Sequence, residues 1–442
     1  MKKEFLCSLL LFLLVISLIA IPTLADDGDE SLWGKAITPE LVELPQSAYD
    51  SSMTSPMIVG ISGDGEKVLI FGYNCAPYLW DFNTGKKTFL IPGNTYSEEI
   101  LALSCDATMA RLPEKQQNYL SRKYADVEGW RELAIFSDES LGLIRATVSR
   151  GGDDRYLLVT NGALFGDALV DCQTGEMHIC PEGSLSLPVV DGKVINYQIP
   201  GYHIVDLQSG EITEYGPPDD QSAVTFARFL PDGSVAMILR GLPMNRDAGQ
   251  ECVLCVRRTD GTEERYSLGV VKSLAEPNVL LCNGDGSCLC AYNRERVQVM
   301  KPFLVDRNEG KVSLLVREGG NYLALPLSDC LDENGAAQTP EAYAQSVLIP
   351  YAEMRDGTVL VTDMMEGDLA LLRMEDMATH ILIDEKSIEE TDYMTIRNNL
   401  IFSPPPLSGN GYNIFAFPKM TQYVFFKERT GGLSGLLDFF FH

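Results

Sequence analysis

A tight turn built on an acidic or amide residue recurs along this chain, each time between two short apolar runs. Its positions, in order, are Asp64, Asp106, Asp153, Asp191, Asp232, Asp285, Asp356 and Asn410. Most of the aspartates are followed directly by glycine or by a second aspartate, which suits a hairpin turn that needs a positive φ. Their spacing of roughly 40 to 70 residues indicates one supersecondary unit repeated along the chain.

A second series of turns follows the first at a distance of roughly 20 to 30 residues, as a unit of this size requires. Its members are Thr84-Gly85, Glu139-Ser140, Thr174-Gly175, Ser209-Gly210, Asp260-Gly261, Glu309-Gly310, Asp376 and Thr430-Gly431. Two hairpin turns in each unit imply four antiparallel strands. We therefore predict an all-β chain that forms a single β-propeller of four-stranded antiparallel blades. Eight blades is the expected count, with seven as the alternative, because the unit around Asp106 and Glu139 is the weakest copy.

The runs that follow the first turn of each unit are short and almost wholly apolar. They are Val68 to Phe71, Tyr156 to Val159, Val235 to Ile238, Val359 to Val361 and Ile414 to Phe417. A half-exposed strand alternates apolar and polar residues, whereas a continuous apolar strand must be covered on both faces. Blades stacked side by side would cover their middle strands in this way.

These segments resemble the repeats of WD40-like β-propellers. ISGDGEKVLIFG, FLPDGSVAMIL and EMRDGTVLVTD are similar to the S-P-D-G start of such a repeat, and LWDFNTGK, LVDCQTGE and IVDLQSGE are similar to its D-x-x-T-G turn. The Gly-His dipeptide of true WD40 blades is missing, and Trp80-Asp81 is the only Trp-Asp pair. The resemblance implies the fold and is nearly silent on function, because propellers host unrelated activities.

The N-terminus reads as an export signal. Lys2 and Lys3 precede an apolar run from Phe5 to Ile21, and Thr23-Leu24-Ala25 supplies small residues for cleavage after Ala25. An uncleaved membrane anchor is the alternative, since the run is close to the ~20 residues that a span needs. We expect residues 1–25 to be a signal peptide, 26–55 an N-terminal segment and 56–442 the propeller, in a secreted or cell-envelope protein. The propeller would close by stacking of its last blade on its first, or by an outer strand from Leu41 to Leu44.

The formal net charge of −27 argues against binding to nucleic acid or to anionic lipid. We expect no nucleic-acid partner, membrane contact only if the N-terminal segment stays uncleaved, and a monomer. The eleven cysteines are expected to be mainly small buried side chains. Cys282 and Cys288 flank a turn and would face one another across a hairpin, whereas Cys252 and Cys255 would point to opposite faces of a strand.

Three insertions interrupt the repeat, at 113–130, 240–250 and 317–345. The first two fall between second and third strands and the third falls between blades, so strand alternation places all three on one face of the disc. Long loops on a rigid scaffold are where binding residues concentrate. The predicted ligand-binding residues are the aromatic and basic residues of these insertions: Tyr119, Arg122, Lys123, Tyr124, Trp130, Arg246, Tyr322 and Tyr343.

Motifs for catalysis are missing from the sequence. It contains no G-x-S-x-G elbow, no phosphate-binding loop and no dinucleotide fingerprint. Asp332-Glu333-Asn334-Gly335 offers oxygen ligands but lacks the glycine that an EF-hand loop requires, so calcium is the less favoured interpretation and no metal or cofactor is expected. The leading hypothesis is a secreted, non-enzymatic propeller that binds a protein, peptide or glycan through the insertion-bearing face. The alternative is an extracellular polysaccharide hydrolase or lyase with carboxylates at the channel mouth.

Overall fold

A computed structural model describes much of the chain beyond residue 32. It covers residues 33, 37–43, 45–51, 54–62, 67–73, 77–92, 114–123, 144–148, 155–161, 166–180, 183–242, 249–272, 275–293, 300–344, 347–354, 356–363, 369–383, 412–416 and 422–428. The predicted signal peptide, residues 1–25, lies outside these ranges.

The described strands begin with an N-terminal strand and three sheets. These strands are β1 (Ile37–Glu43); β2 (Thr54–Ile61), β3 (Lys67–Tyr73), β4 (Tyr78–Asp81) and β5 (Lys87–Phe89); β6 (Ile91–Pro92), β7 (Ile144–Val148), β8 (Tyr156–Asn161), β9 (Gly166–Asp171) and β10 (Glu176–Cys180); and β11 (Ser184–Val190), β12 (Lys193–Gln198), β13 (Gly201–Asp206) and β14 (Ile212–Tyr215).

Four more sheets follow. They contain β15 (Ser222–Phe229), β16 (Val235–Gly241), β17 (Gln250–Arg257) and β18 (Glu263–Val271); β19 (Val279–Cys282), β20 (Cys288–Tyr292), β21 (Phe303–Asp306), β22 (Lys311–Glu318) and β23 (Asn321–Pro326); β24 (Leu348–Glu353), β25 (Val359–Asp363), β26 (Leu369–Arg373) and β27 (Ala378–Ile383); and β28 (Tyr412–Ala416) and β29 (Gln422–Glu428). The helical elements of the described chain are α1 (Glu114–Lys123) and three 3₁₀ turns, Gln46–Ala48, Leu327–Cys330 and Glu341–Tyr343.

Apart from β1 and β6, the strands of each sheet form an antiparallel meander in which strands consecutive in sequence are neighbours in space. Two sheets gain a fifth strand: β6 adds in parallel to β10, and β23 adds to the outer edge of β22. The predicted turns fall where the repeat requires, with Asp191-Gly192 between β11 and β12 and Ser209-Gly210 between β13 and β14. Gly192 has φ 71° and Gly210 has φ 73°, a conformation that favours glycine.

The hydrophobic core lies between successive sheets rather than inside any one of them. On β16, Met237 and Leu239 pack toward the β11–β14 sheet, whereas Ala236 and Ile238 pack toward the β19–β23 sheet. Comparable clusters lie between the second and third sheets and between the fifth and sixth. Strands covered on both faces are what the continuous apolar runs predict. Meander sheets stacked face to face in chain order have the architecture of a β-propeller.

The N-terminal strand pairs with the last strand of the chain. β1 runs antiparallel to β29, with Leu41 opposite Val424 and Val42 opposite Tyr423, and β28 of the same sheet contacts β2 of the first four-stranded sheet. Of the two closures left open by the sequence, this pairing is the one in which the N-terminal segment adds an outer strand. The strand covers Ile37–Glu43 rather than Leu41 to Leu44.

The described strands form seven sheets, which is the alternative blade count. The turns of the additional unit, Asp106 and Glu139, lie outside the described residues, so an eighth blade stays a prediction. α1, in the first insertion, lies between β6 and β7, which are the two edge strands of one described sheet. Its predicted place between the second and third strands of one blade stays a prediction, because the chain on both sides of α1 lies outside the described residues.

All eight cysteines described in the structure are buried. Cys252 and Cys255 join core clusters on opposite faces of β17, as their spacing predicts. The expectation that Cys282 and Cys288 face one another is wrong: Cys282 lies opposite Leu289, and the backbone of Asn283 bonds to that of Cys288. The register of this hairpin therefore differs by one residue from the register that would pair the two cysteines.

Candidate functional site

The two faces of the stacked sheets carry different kinds of connection. First-to-second and third-to-fourth strand turns lie on one face, called here the turn face. Second-to-third connections and connections between sheets lie on the opposite face, called here the loop face. A cavity of about 480 Å³ opens on the loop face, within the size range of ligand pockets. Three connections line it: Lys272 to Ala275 after β18, Met300 and Lys301 before β21, and Asp332 to Ala344 before β24.

Lys301 is the most unusual group in this cavity. Its side chain is among the largest fully buried ones in the described chain, with the residue 1% exposed, and its Nζ has no hydrogen-bond partner among the described residues. Burial lowers the pKa of Lys301, while the nearby carboxylate of Asp363, itself buried at the end of β25, acts to raise it. Buried charges are normally paired and hydrogen-bonded because desolvating an ammonium group is costly. A cavity-lining ammonium group of this kind is therefore a candidate ligand contact.

Thr339 adds a second polar group without a described partner. Its Oγ1 is buried and makes no hydrogen bond within the described residues, and the residue lines the same cavity. Asp332, by contrast, is fully engaged in its own loop. One of its carboxylate oxygens accepts N–H groups of Asn334 and Ala336, both at 2.8 Å, and the other accepts from Gln338 Nε2 at 2.9 Å.

A backbone hydrogen bond connects the loop around Asp332 to the sheet beside it. Val270 N donates to Gly335 O at 2.8 Å, and Gly335 has φ 75°. Hydrogen bonds from Ala336 N and Asn334 N hold the pKa of Asp332 below its usual value. The acidic loop is thus a turn that fixes the cavity wall, and its carboxylate holds the wall in place.

The remaining cavity walls are mainly apolar and made of small side chains. Met300, Ala275 and Ala337 are buried, Val270, Ala336 and Ala344 add further apolar side chains, and the exposed Lys272 and Gln338 complete the lining. A pocket with methyl-lined walls and a few converging polar groups is the usual form of a small-ligand site. The described lining therefore suits an amphipathic group.

A second cavity of about 520 Å³ lies on the turn face between the third and fourth sheets. There Arg257 donates to Tyr202 Oη at 3.2 Å and to Glu263 Oε1 at 3.0 Å, and Tyr202 stacks on Tyr215 with ring centroids 5.1 Å apart. Its central arginine is already bound within the protein. The loop-face cavity, called from here the Lys301 pocket, is the better candidate.

The predicted ligand-binding residues are placed as follows. Tyr119, Arg122 and Lys123 lie on α1, where the Arg122 side chain is exposed. Tyr124, Trp130 and Arg246 lie outside the described residues. Tyr322 lies on β23 and is 2% exposed, with the guanidinium of Arg317 5.5 Å from its ring centroid. Tyr343 is half-buried in the 3₁₀ turn next to the pocket-lining Ala344.

The structure brings one predicted region, the 317–345 insertion, into the candidate site. None of the predicted ligand-binding residues is in the described lining of the pocket, and the sequence did not predict Lys301, Met300 or Thr339. Lys301 stands alone between Met300 and Pro302, ahead of an apolar strand, and nothing local marks it as buried.

The described residues contain no group of three or more His, Cys, Asp or Glu side chains that could hold a metal ion. Within the same residues, no helix has both the length and the apolar character needed to cross a bilayer.

Comparisons by sequence identify no relatives: no protein-family model matches the chain, and no curated protein matches it.

Solved structures show weak overall likeness. A streptogramin B lyase structure shares 13% identity, covers 90% of this chain and 100% of its own, and has a TM-score of 0.42. The β-propeller domain of Cps50 (Swd1) from Myceliophteria thermophila shares 9% identity, covers 89% of this chain and 99% of its own, and has a TM-score of 0.41. An oligogalacturonate lyase in complex with manganese shares 14% identity, covers 89% of this chain and 97% of its own, and has a TM-score of 0.36. At these values the β-propeller fold rests on the strand topology described above.

Proposed function

We propose that this chain is a secreted, non-enzymatic β-propeller of seven blades that binds a peptide, protein or glycan through its loop face. The observation that carries the proposal is the Lys301 pocket, a ligand-sized cavity on that face with a buried ammonium group that no described residue binds. Secretion is proposed from the predicted leader, residues 1–25.

The composition of the pocket supports binding rather than hydrolysis. A glycoside hydrolase needs two carboxyl groups about 5–10 Å apart on either side of the scissile bond. The carboxylate in the described lining is that of Asp332, and its oxygens are engaged by three N–H donors. The apolar walls and the lysine instead suit recognition of one end of a ligand.

The test uses immobilised arrays of peptides and of glycans with the secreted protein. Ala344→Trp would fill the pocket from an exposed wall position, and Thr213→Trp makes the same change at an exposed wall of the turn-face cavity. We expect ligands of the native protein to be lost by Ala344→Trp and kept by Thr213→Trp. Retention by Ala344→Trp would remove the pocket from consideration. Chain shortening of an arrayed polysaccharide would support the hydrolase or lyase alternative.

A further inference from the structure

The donors of the Lys301 pocket define the chemistry of its ligand more narrowly than the proposed function does. Lys301 Nζ carries three N–H donors and no acceptor, and the Thr339 hydroxyl can donate as well. Both residues line the same cavity, and neither atom has a partner among the described residues. The complement to two such donors is a group that only accepts.

Charge selects among the acceptors. Hydrogen bonds between an ammonium group and an anion are about twice as strong as neutral ones, and more so where water is excluded. The described lining holds one buried cation and no arginine, and the nearby Asp363 carboxylate also acts on that cation, so the lining matches a single negative charge better than a phosphate group. A carboxylate has one charge and two oxygens, enough for Lys301 and Thr339 together.

The walls add an apolar requirement. Behind the two donors the described lining is built from Met300, Ala275 and Ala337 with further alanine and valine side chains. Burial of methylene groups against such a wall favours binding. A ligand that fits both parts has a carboxylate at the end of a short apolar segment.

We propose that the Lys301 pocket binds a carboxylate on an apolar stem, with Lys301 and Thr339 donating to the carboxylate oxygens. This inference rests on the proposed function, since it names the ligand class of the same pocket. Two sources share the chemistry: the free C-terminus of a peptide with an apolar last residue, and a free short-chain acid.

The experiment measures binding by isothermal titration calorimetry with four probes: hexanoate, hexanamide, the tripeptide acetyl-Gly-Gly-Leu with a free carboxylate, and the same tripeptide amidated. We expect at least one carboxylate probe to bind roughly tenfold more tightly than its amide, a difference of about 1.4 kcal/mol. Preference for hexanoate alone identifies a free acid as the source, and preference for the tripeptide carboxylate identifies a peptide C-terminus. Either result supports the proposal, and equal binding of acid and amide overturns it.

Variants assign the effect to the pocket. Lys301→Met keeps the length of the side chain and removes the charge, and should weaken the carboxylate probe roughly tenfold. Thr339→Val keeps the shape of the side chain and removes the hydroxyl, and should weaken binding of the carboxylate probe by a smaller factor. If Lys301→Met does not fold, the Thr339→Val result tests the proposal. Lys272→Met, at an exposed lysine of the same lining, is the control and should change binding about twofold or less. Unchanged affinity in both Lys301→Met and Thr339→Val would overturn the proposal.

Failure of this inference is separable from failure of the proposed function. Array ligands that Ala344→Trp abolishes, but that show no preference for a carboxylate, leave the pocket as a binding site and overturn only the ligand class. Array ligands that Ala344→Trp does not affect overturn both.

Discussion

At the scale of single residues, the turn aspartates act as local hydrogen-bond acceptors. In the Asp81 turn, one carboxylate oxygen accepts from Asn83 N at 3.0 Å and Thr84 N at 2.7 Å, and the glycine after it has φ 66°. The Asp206 turn repeats the pattern with Gln208 N and Ser209 N. Such turns depend only on residues within a few positions of each other, which is why the sequence was sufficient to locate them.

Asp171 should contribute most among these turn residues. It accepts from Gln173 N at 2.8 Å and also pairs with Arg155, and its side chain is 1% exposed. Burial alone would raise the pKa of Asp171, but the Arg155 guanidinium and the turn donors hold it below its ordinary value. We expect Asp171→Asn to lower the free energy of unfolding by about 2 kcal/mol at pH 7, measured by urea denaturation.

The Asp171 deficit should depend on pH. Because the folded pKa is lowered, the native carboxylate stabilises the fold above its unfolded pKa and loses that contribution as the pH falls through the folded value. The gap between native and variant should therefore narrow in acid. Asp206→Asn, at a solvent-exposed copy of the turn without an arginine partner in the described contacts, is the matched control and should show a smaller deficit. Equal deficits would assign the effect to the turn alone.

Lys301 also makes native stability rise with pH, but in the alkaline range and through a cost of burying its charge. Burial lowers its folded pKa below the unfolded value of 10.5, so the unfolded chain holds the proton more strongly and native stability rises with pH between those two values. Lys301→Met removes the free-energy cost of burying the charged ammonium group. We expect the variant to be more stable than the native protein at pH 7 and the advantage to shrink toward pH 10, measured by chemical denaturation at both. A variant less stable at pH 7 would mean that the charge stabilises the free protein.

At the scale of elements, the insertions are where sequence reasoning was least complete. A repeat predicts strands from local turns and apolar runs, and the runs at Tyr156, Val235 and Val359 indeed form second strands of their sheets. The insertions do not repeat, so the pattern of the repeat does not place them. Residues 321–326 add an outer strand to one sheet through a hairpin turn at Gly319-Gly320, both with positive φ, which is a local signal that the sequence does carry. Residues 332–344 line the same cavity as Lys301, and that long-range placement has no local signal.

The pairing of β1 with β29 provides a prediction at this scale. β1 lies at the edge of its described sheet, so alternate N–H groups along it point toward β29 or away. Proline removes one N–H group, and a ladder bond is worth about 1 kcal/mol. Of Leu41→Pro and Val42→Pro, one should lose at least that much stability and the other clearly less, as measured by denaturant titration. Two neutral variants would show that β1 does not contribute to the fold.

At the scale of the whole molecule, the architecture was largely predictable from the sequence, but the polar contacts that connect one sheet to another were not. Continuous apolar strands imply cover on both faces, and the clusters on either side of β16 confirm it. What a sequence cannot display is a polar contact between distant sheets. Arg228 on β15 donates to Leu280 O at 2.6 Å on the next sheet and to Glu353 Oε2 at 3.1 Å on the sheet beyond. The residues lie 52 and 125 positions apart in the chain.

Glu353 completes this set of hydrogen bonds between three sheets. Its carboxylate also accepts the backbone N–H of Cys282, and both charged side chains are less than a tenth exposed. Removing one partner of a buried pair leaves an uncompensated charge and costs about 3–5 kcal/mol, whereas removing both costs much less than the sum. We therefore expect large losses for Arg228→Met and for Glu353→Gln, and a loss for the double variant well below their total.

A denaturant-based double-mutant cycle measures this coupling. Lys311→Met, which breaks an exposed pair with Glu309, is the control and should change stability little. The pair also joins the fourth, fifth and sixth sheets, so its loss should loosen these sheets from one another before it loosens the strands within any one of them. Amide hydrogen exchange would then speed up at β15, β19 and β24 together and leave β8 and β12 unchanged. Equal acceleration of amide exchange throughout the molecule would show that the sheets unfold as one unit and that the ion pair does not act locally on these three sheets.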